Sequence, residues 1–192
     1  MAESQLNQPD KLLVIGGSTG SLDVLLQVLP RLHKHLAFPI IIVLHRKNSP
    51  STTLADLLHA KTGLPVKEAD DKEMLQSGMI YLAPADYHLL VEQEQTLALD
   101  DSEKVNFSRP SIDVTFESAA EVFKTQLTCL LLSGANEDGT AGLQTVKAAG
   151  GQVWIQNPET ADVGYMPRHA LKALAADRVV EAGEIADYIN SL

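Results

Sequence analysis

The sequence predicts an α/β protein with a doubly wound, mostly parallel sheet, flanking helices and a β-hairpin insertion. Three observations predict it. Short apolar runs alternate with amphipathic stretches along the chain, the pattern of strands crossed by helices. The runs Leu12–Gly16 and Pro39–Leu44 are apolar almost throughout, as strands are when both faces are covered. One region breaks the alternation: Tyr87–Val91 and Thr96–Leu99 flank Glu92–Gln95 with no room for a helix, so they read as an antiparallel hairpin.

The elements follow in order. After the first strand, Ser21–Leu32 carries Leu22, Leu25, Leu26 and Leu29 at helical spacing. After the second, Ser49-Pro50-Ser51 offers a helix start, and Leu54, Leu57 and Leu58 mark its buried stripe. Pro65–Glu68 and Met79–Ala83 are further strands. A helix is expected from about Asp113 to Lys124, then the strand Leu127–Leu132, then a helix from Gly139 to Ala149 ended by Gly150-Gly151. Val153–Gln156 is a short strand. A helix begins near Pro167, a residue suited to a first turn, and Ala182–Ile189 closes the chain as a short helix. Residues 1–10 read as a disordered leader and 11–192 as one domain.

Composition narrows the function. Fifteen Lys and Arg against 25 Asp and Glu leave a net charge of −10, which disfavours nucleic acid, whose phosphates need a clustered cationic face. No apolar run reaches the ~18 residues of a membrane span, and Met1–Asp10 lacks the pattern of a signal peptide, so no membrane insertion and a cytoplasmic setting are expected. The single cysteine, Cys129, lies in an apolar strand and reads as a small buried hydrophobe.

In open α/β sheets ligands bind beyond the carboxyl ends of the strands. Three such ends carry chemistry. Gly16-Gly17-Ser18-Thr19-Gly20-Ser21 follows the first strand, His45 the second, and Ser133-Gly134-Ala135-Asn136-Glu137-Asp138-Gly139 the strand Leu127–Leu132. A serine, a histidine and an acid on one edge are the nucleophile, base and orienting carboxylate of acyl-transfer enzymes. Each also has a plainer reading. The glycine turn fits a phosphate site or a simple tight turn, although it lacks the Walker lysine, and His45 stands where a dinucleotide site wants an acid. His45 fits a satisfied rim histidine, and Asp138 a cap for the helix after it. Asn136, Glu137 and Asp138 make a poor metal loop without further ligands.

These motifs together resemble the catalytic domain of chemotaxis protein-glutamate methylesterases. The resemblance rests on Val14-Ile15-Gly16-Gly17-Ser18-Thr19-Gly20, Val43-Leu44-His45, Tyr81 to His88, Arg109-Pro110-Ser111-Ile112-Asp113, Leu131 to Gly134 with Asp138-Gly139, and Gly164-Tyr165-Met166-Pro167. It runs from about Lys11 to Ile189 and implies hydrolysis of glutamate methyl esters, with glutamine deamidation in some members. The substrates it implies are the cytoplasmic helices of methyl-accepting chemoreceptors. It makes Ser18 the nucleophile, His45 the base and Asp138 the orienting acid, with no metal or organic cofactor required. Backbone groups near Thr19, Gly20 and Ala135 are oxyanion candidates. Arg109 either clamps a substrate carboxylate or pairs with Asp113, and Met166 shapes the pocket wall. His88 reads as a turn or surface histidine or a cleft residue, while His33, His35, His59 and His169 read as solvated on helix faces. Arg46, Lys47, Arg109 and Arg168 are expected to form a local cationic patch. Where members carry Gly and Met before the acid, this chain has Ala135-Asn136-Glu137, which bears on specificity. Ten residues before Lys11 leave no room for the receiver domain that members commonly carry, so a free-standing catalytic domain or a fragment is expected. The alternatives are a non-catalytic regulatory relative and a phosphate- or nucleotide-binding module.

Overall fold

The computed structural model describes residues 8–46 and 53–192. Its frame is a seven-stranded sheet built of β1 (Leu12–Gly17), β2 (Ile40–Leu44), β3 (Val66–Glu68), β4 (Ile80–Leu82), β7 (Leu127–Leu131), β8 (Gln152–Gln156) and β9 (Arg178–Val180). The order is β3-β4-β2-β1-β7-β8-β9 and every pairing is parallel. β5 (His88–Val91) and β6 (Leu97–Asp100) form the separate antiparallel hairpin. The strand Arg178–Val180 has no counterpart in the sequence reading: its three residues are too few to show alternation.

Alternate residues of the central strands feed two cores. Leu12, Val14, Ile41, Val43, Cys129 and Leu131 pack against α3 (Ile112–Phe123), α4 (Thr140–Ala148), α5 (Tyr165–Ala173) and the hairpin. Leu13, Ile15, Ile40, Ile42, Leu130 and Trp154 pack against α1 (Ser21–Val28), α2 (Thr53–His59) and α6 (Ile185–Asn190). Strands covered on both sides have no polar face to show, which is why their sequences read as unbroken apolar runs.

Several boundaries move for local reasons. The first helix stops at Val28 and tightens into a 3₁₀ turn over Leu29–Arg31 that contains Pro30, so His33 and His35 lie in the exposed loop beyond it and not on a helix. The expected start at Ser49-Pro50-Ser51 lies outside the described residues. Within the expected leader, Pro9 is buried and Gln8 hydrogen-bonds to the Glu94 carbonyl, while Gln8 and Asp10 are exposed. Cys129 is fully buried, and that burial pushes its thiol well up from the ordinary value, as expected of an inert core residue.

Candidate active site

β1 lies between β2 and β7, so the chain turns outward in opposite directions from its carboxyl end, the crevice where doubly wound sheets place ligands. Gly17 is paired in register with Leu44, and His45 N donates to the Gly17 carbonyl at 3.1 Å. Ser18 and His45 therefore leave adjacent strands side by side. On the other flank Ser18 N donates to Ser133 O at 2.9 Å, which ties it to the end of β7.

The turn after β1 is built from short side chains for a reason. Ser21 Oγ donates to Ser133 O (2.8 Å) and accepts from Ser18 N (3.1 Å), so one hydroxyl joins the two strand ends. Gly20, not Thr19, precedes the helix, at a φ of 85° that β-branched residues avoid. Thr19 makes no capping bond; its side chain is exposed. The N–H groups of Thr19, Gly20 and Ala135 donate to no partner among the described residues, and all three lie beside Ser18 or at the β7 end next to it.

Asp138 is the most heavily hydrogen-bonded side chain of the site. Its Oδ2 meets His45 Nε2 at 2.6 Å and accepts from Ile112 N at 2.6 Å. Its Oδ1 accepts from Ser111 Oγ (2.8 Å), Asp113 N (3.0 Å) and Gly139 N (3.1 Å). The plainer reading of Asp138 as a cap is thus met in part, but the helix it caps is chiefly α3, about 26 residues away in sequence, and not the helix that follows it. Burial works to raise its pKa, but hydrogen bonds from His45 and from the Asp113 and Ile112 amides outweigh it and hold the carboxyl below its usual value. His45 has Nε2 engaged with this carboxylate, which leaves Nδ1 as the nitrogen free to face a neighbour. No hydrogen bond joins Ser18 Oγ to His45 among the described residues.

A second carboxyl, Asp113, sits in the first turn of α3. It accepts from Gly142 N (2.7 Å) and Asn106 Nδ2 (2.8 Å), and Asn106 also reaches Asp138 Oδ1 at 3.5 Å. Burial, opposed by the Gly142 bond and reinforced by the charge of Asp138, pushes Asp113 up to about 7.

Other expected site residues are placed differently. Arg109 does not pair with Asp113: its Nη1 donates to the Asp101 and Ser102 carbonyls at 2.6 Å each, and the residue lines the cleft beside His45. His88 is neither a surface nor a cleft residue. It is 1% exposed, its Nδ1 accepts from Ser111 N (3.1 Å), and its Nε2 donates to Glu103 O (2.9 Å), so it braces the residue whose hydroxyl holds Asp138. His169 is partly exposed and also engaged, with Nδ1 2.9 Å from Thr140 Oγ1 and its ring stacked on Tyr165, whose hydroxyl is 3.2 Å from Glu137. Two members of the expected cationic patch are ion-paired, Arg46 with Glu68 and Arg168 with Glu159 at 2.9 Å, while Lys47 lies outside the described residues. Met166 is fully buried against Gly134, where a methyl group would come 2.5 Å from Met166 Cε and 3.1 Å from Ser18 Cβ, so any larger residue there must displace its neighbours. Asn106, Ser111 and Asp113 were not singled out for the site by sequence, although Arg109-Pro110-Ser111-Ile112-Asp113 belongs to the motif set.

An open cleft of about 400 Å³ runs from His45 and Arg46 past Asp86 to Lys104, Phe107 and Arg109. Among the described residues no group of three or more His, Cys, Asp or Glu side chains is disposed to hold a metal ion, and no helix is long and apolar enough to cross a membrane.

A serine, a histidine and a hydrogen-bonded carboxylate gathered at the switch point of a parallel sheet form an arrangement met in serine hydrolases. Comparison with known proteins gives the particular family. A family model described as CheB methylesterase matches residues 13–189. A putative protein-glutamate methylesterase/protein-glutamine glutaminase of Leptospira interrogans is 41% identical over 175 residues, covering 91% of each chain. The protein-glutamate methylesterase/protein-glutamine glutaminase of Thermotoga maritima is 36% identical over 185 residues, covering 95% of this chain and 54% of that one. The crystal structure of the Thermotoga maritima CheB methylesterase catalytic domain matches with a TM-score of 0.89 at 36% identity, covering 94% of this chain and 97% of that one. The chain belongs to the CheB methylesterase family.

Proposed function

We propose that this chain is a serine carboxylesterase that hydrolyses glutamyl γ-methyl esters on the cytoplasmic helices of chemoreceptors and, by the same acyl-enzyme chemistry, deamidates receptor glutamines. The observation that carries the reading is the 2.6 Å contact between His45 Nε2 and a fully buried, multiply hydrogen-bonded Asp138, one strand away from Ser18. Family membership and the printed activity of the relatives support it.

In this reading Asp138 fixes the ring of His45 and stabilises its protonated form. The Nδ1 of His45 takes the Ser18 proton as Oγ attacks the ester carbonyl, then delivers it to the departing methoxide. The short Ser18–His45 contact forms once substrate is bound, as such contacts commonly do. The unpartnered amides of Thr19, Gly20 and Ala135 receive the oxyanion, where a single donor is worth roughly 3–4 kcal/mol. Water then repeats the sequence on the acyl-enzyme and releases the glutamate side chain. Met166 packs against Gly134, the residue before Ala135, and its N–H donates to the Gly134 carbonyl.

The test is methanol release from a methylated receptor fragment by the wild-type chain and by Ser18→Ala. The variant should lose at least about 10³-fold in kcat/KM, since removing a triad member leaves only binding and oxyanion stabilisation. A folded Ser18→Ala protein that retained the wild-type rate would remove the reading.

A further inference from the structure

The lip of the cleft is built in an unusual way. Val105 and Ser108 close a tight turn with two backbone hydrogen bonds, of 3.2 and 2.8 Å. Both central residues, Asn106 and Phe107, have positive φ, 48° and 62°. Turns of that kind favour Asn followed by Gly, and a phenylalanine takes such a φ rarely. The turn is anchored from beneath. Asn106 Nδ2 donates to Asp113 and reaches Asp138, and Asn136 Nδ2 donates to Ser108 Oγ at 3.3 Å. The residue next to Phe107 thus touches the carboxylate that holds His45.

Phe107 itself stands clear of the protein at 97% exposure, whereas the other three phenylalanines, Phe38, Phe116 and Phe123, are buried. An aromatic ring held clear of the described residues by an anchored turn gains its favourable burial only against something beyond them. Its position indicates what that is. The ring lines the same cleft as His45, and Lys104, at the start of the segment, is a cation with no ion-pair partner among the described residues of a molecule carrying −10 overall. Of the other two cations of the cleft, Arg46 is paired with Glu68 and Arg109 is held by its Nη1 against backbone carbonyls. An apolar anchor and a free cation beside a reacting centre fit a folded protein surface in which an apolar patch and carboxylates surround the esterified side chain.

We infer that the 104–108 turn is the docking lip for the protein substrate, with Phe107 seated in an apolar patch next to the reacting glutamyl ester and Lys104 facing a flanking carboxylate. The inference rests on the esterase reading above and adds that the enzyme recognises the protein around the ester as well as the ester itself.

The experiment compares kcat/KM on a methylated receptor fragment with kcat/KM on the γ-methyl ester of N-acetylglutamate. For Phe107→Ala the ratio of the two should fall roughly 30-fold, the loss typical of truncating an aromatic anchor. Phe107→Leu should recover much of it. Phe107→Gly, which suits the positive φ, should behave as Phe107→Ala with an undiminished melting temperature, so that misfolding is separated from lost docking. Val179→Ala, an exposed apolar truncation on β9 at the far edge of the sheet, should leave the ratio unchanged. An unchanged ratio in Phe107→Ala, with the wild type active on both esters, overturns the docking lip and leaves the esterase standing. A wild type inactive on both esters overturns the esterase reading and the lip with it. A wild-type dimer in sedimentation that Phe107→Ala converts to monomer also overturns the proposal, by giving the ring a second copy of the chain as its partner.

Discussion

Replacing Asp113 by Asn tests whether the two carboxyls at the start of α3 divide the charge of the site as their surroundings dictate. Asp113 is 5% exposed, and burial, partly offset by the Gly142 amide and reinforced by Asp138, pushes it up to about 7 from an ordinary 3.8. A carboxyl whose folded value lies above its unfolded one keeps its proton in the native state while the unfolded chain has already released it. Its contribution to stability is therefore fully present below about pH 4 and is lost as pH rises towards about 7. The slope across that interval approaches 1.4 kcal/mol per pH unit, which sums to about 4 kcal/mol. An Asn at 113 can still accept from Gly142 N through its carbonyl, and Asn106 can turn its amide to accept from the new NH₂. The variant should therefore show a shallower fall in stability between pH 4.5 and 8, and exceed the wild type at pH 8 by a few kcal/mol less the cost of the rearranged hydrogen bonds. Urea unfolding followed through the single tryptophan, buried Trp154, reads this directly. Glu117, which burial also raises, contributes to both proteins and cancels in the difference. Parallel stability curves for wild type and variant over that range would refute the reasoning.

Two further substitutions probe the same centre. In Asp138→Asn every orientation of the amide sets its NH₂ against a backbone N–H, that of Ile112 on one side or those of Asp113 and Gly139 on the other. Unfolding free energy should fall by about 2–4 kcal/mol, measured from urea midpoints at constant slope, and ester hydrolysis by about 10³–10⁴-fold. Because His45 and the amides hold the Asp138 pKa down, the wild type should also lose stability as pH drops below about 4, and this component should be missing in the variant. In Gly134→Ala the new methyl would come within 2.5 Å of Met166 Cε and 3.1 Å of Ser18 Cβ. The Met166 tip can yield but the backbone-tied Ser18 cannot, so kcat/KM should drop at least about tenfold for a stability cost of about 1–3 kcal/mol.

The sequence made legible what lies at strand ends. Ser18, His45 and Asp138 each follow an apolar run, and parallel register alone brings Ser18 beside His45. What it hid depends on contacts between distant segments. Nothing local shows that Asp138 accepts the amides that open α3, so Ser111 and Asp113 could not be read as its holders. Arg109 and Asp113, four apart and of opposite charge, invited a pairing that the chain avoids. Arg109 turns to the Asp101 and Ser102 carbonyls, while Asp113 is buried under α4 and satisfied by an amide and an asparagine. His88 and His169 illustrate the same limit, since their partners Ser111, Glu103 and Thr140 lie 15 to 29 residues away. Arg46 follows His45 and suggested an open cationic patch; Glu68, brought close by the β3-β4-β2 order, takes its charge.

These particulars explain how a fully buried aspartate can stay ionised. Three backbone amides and one hydroxyl point at Asp138, two of those amides from the positively polarised end of a twelve-residue helix. The bond from His45 is the largest single contribution opposing burial, and the amides of Asp113 and Ile112 add to it. A second negative charge at Asp113 would work against that balance, since it shares the same helix turn and the same Asn106. Keeping Asp113 protonated up to about neutral pH leaves a single charge facing His45. As Asp113 ionises on the alkaline side, the Asp138 carboxylate meets a repelling neighbour, and the cost falls on the helix end that positions it. The geometry of the site and the stability of α3 are thus set by the same few hydrogen bonds.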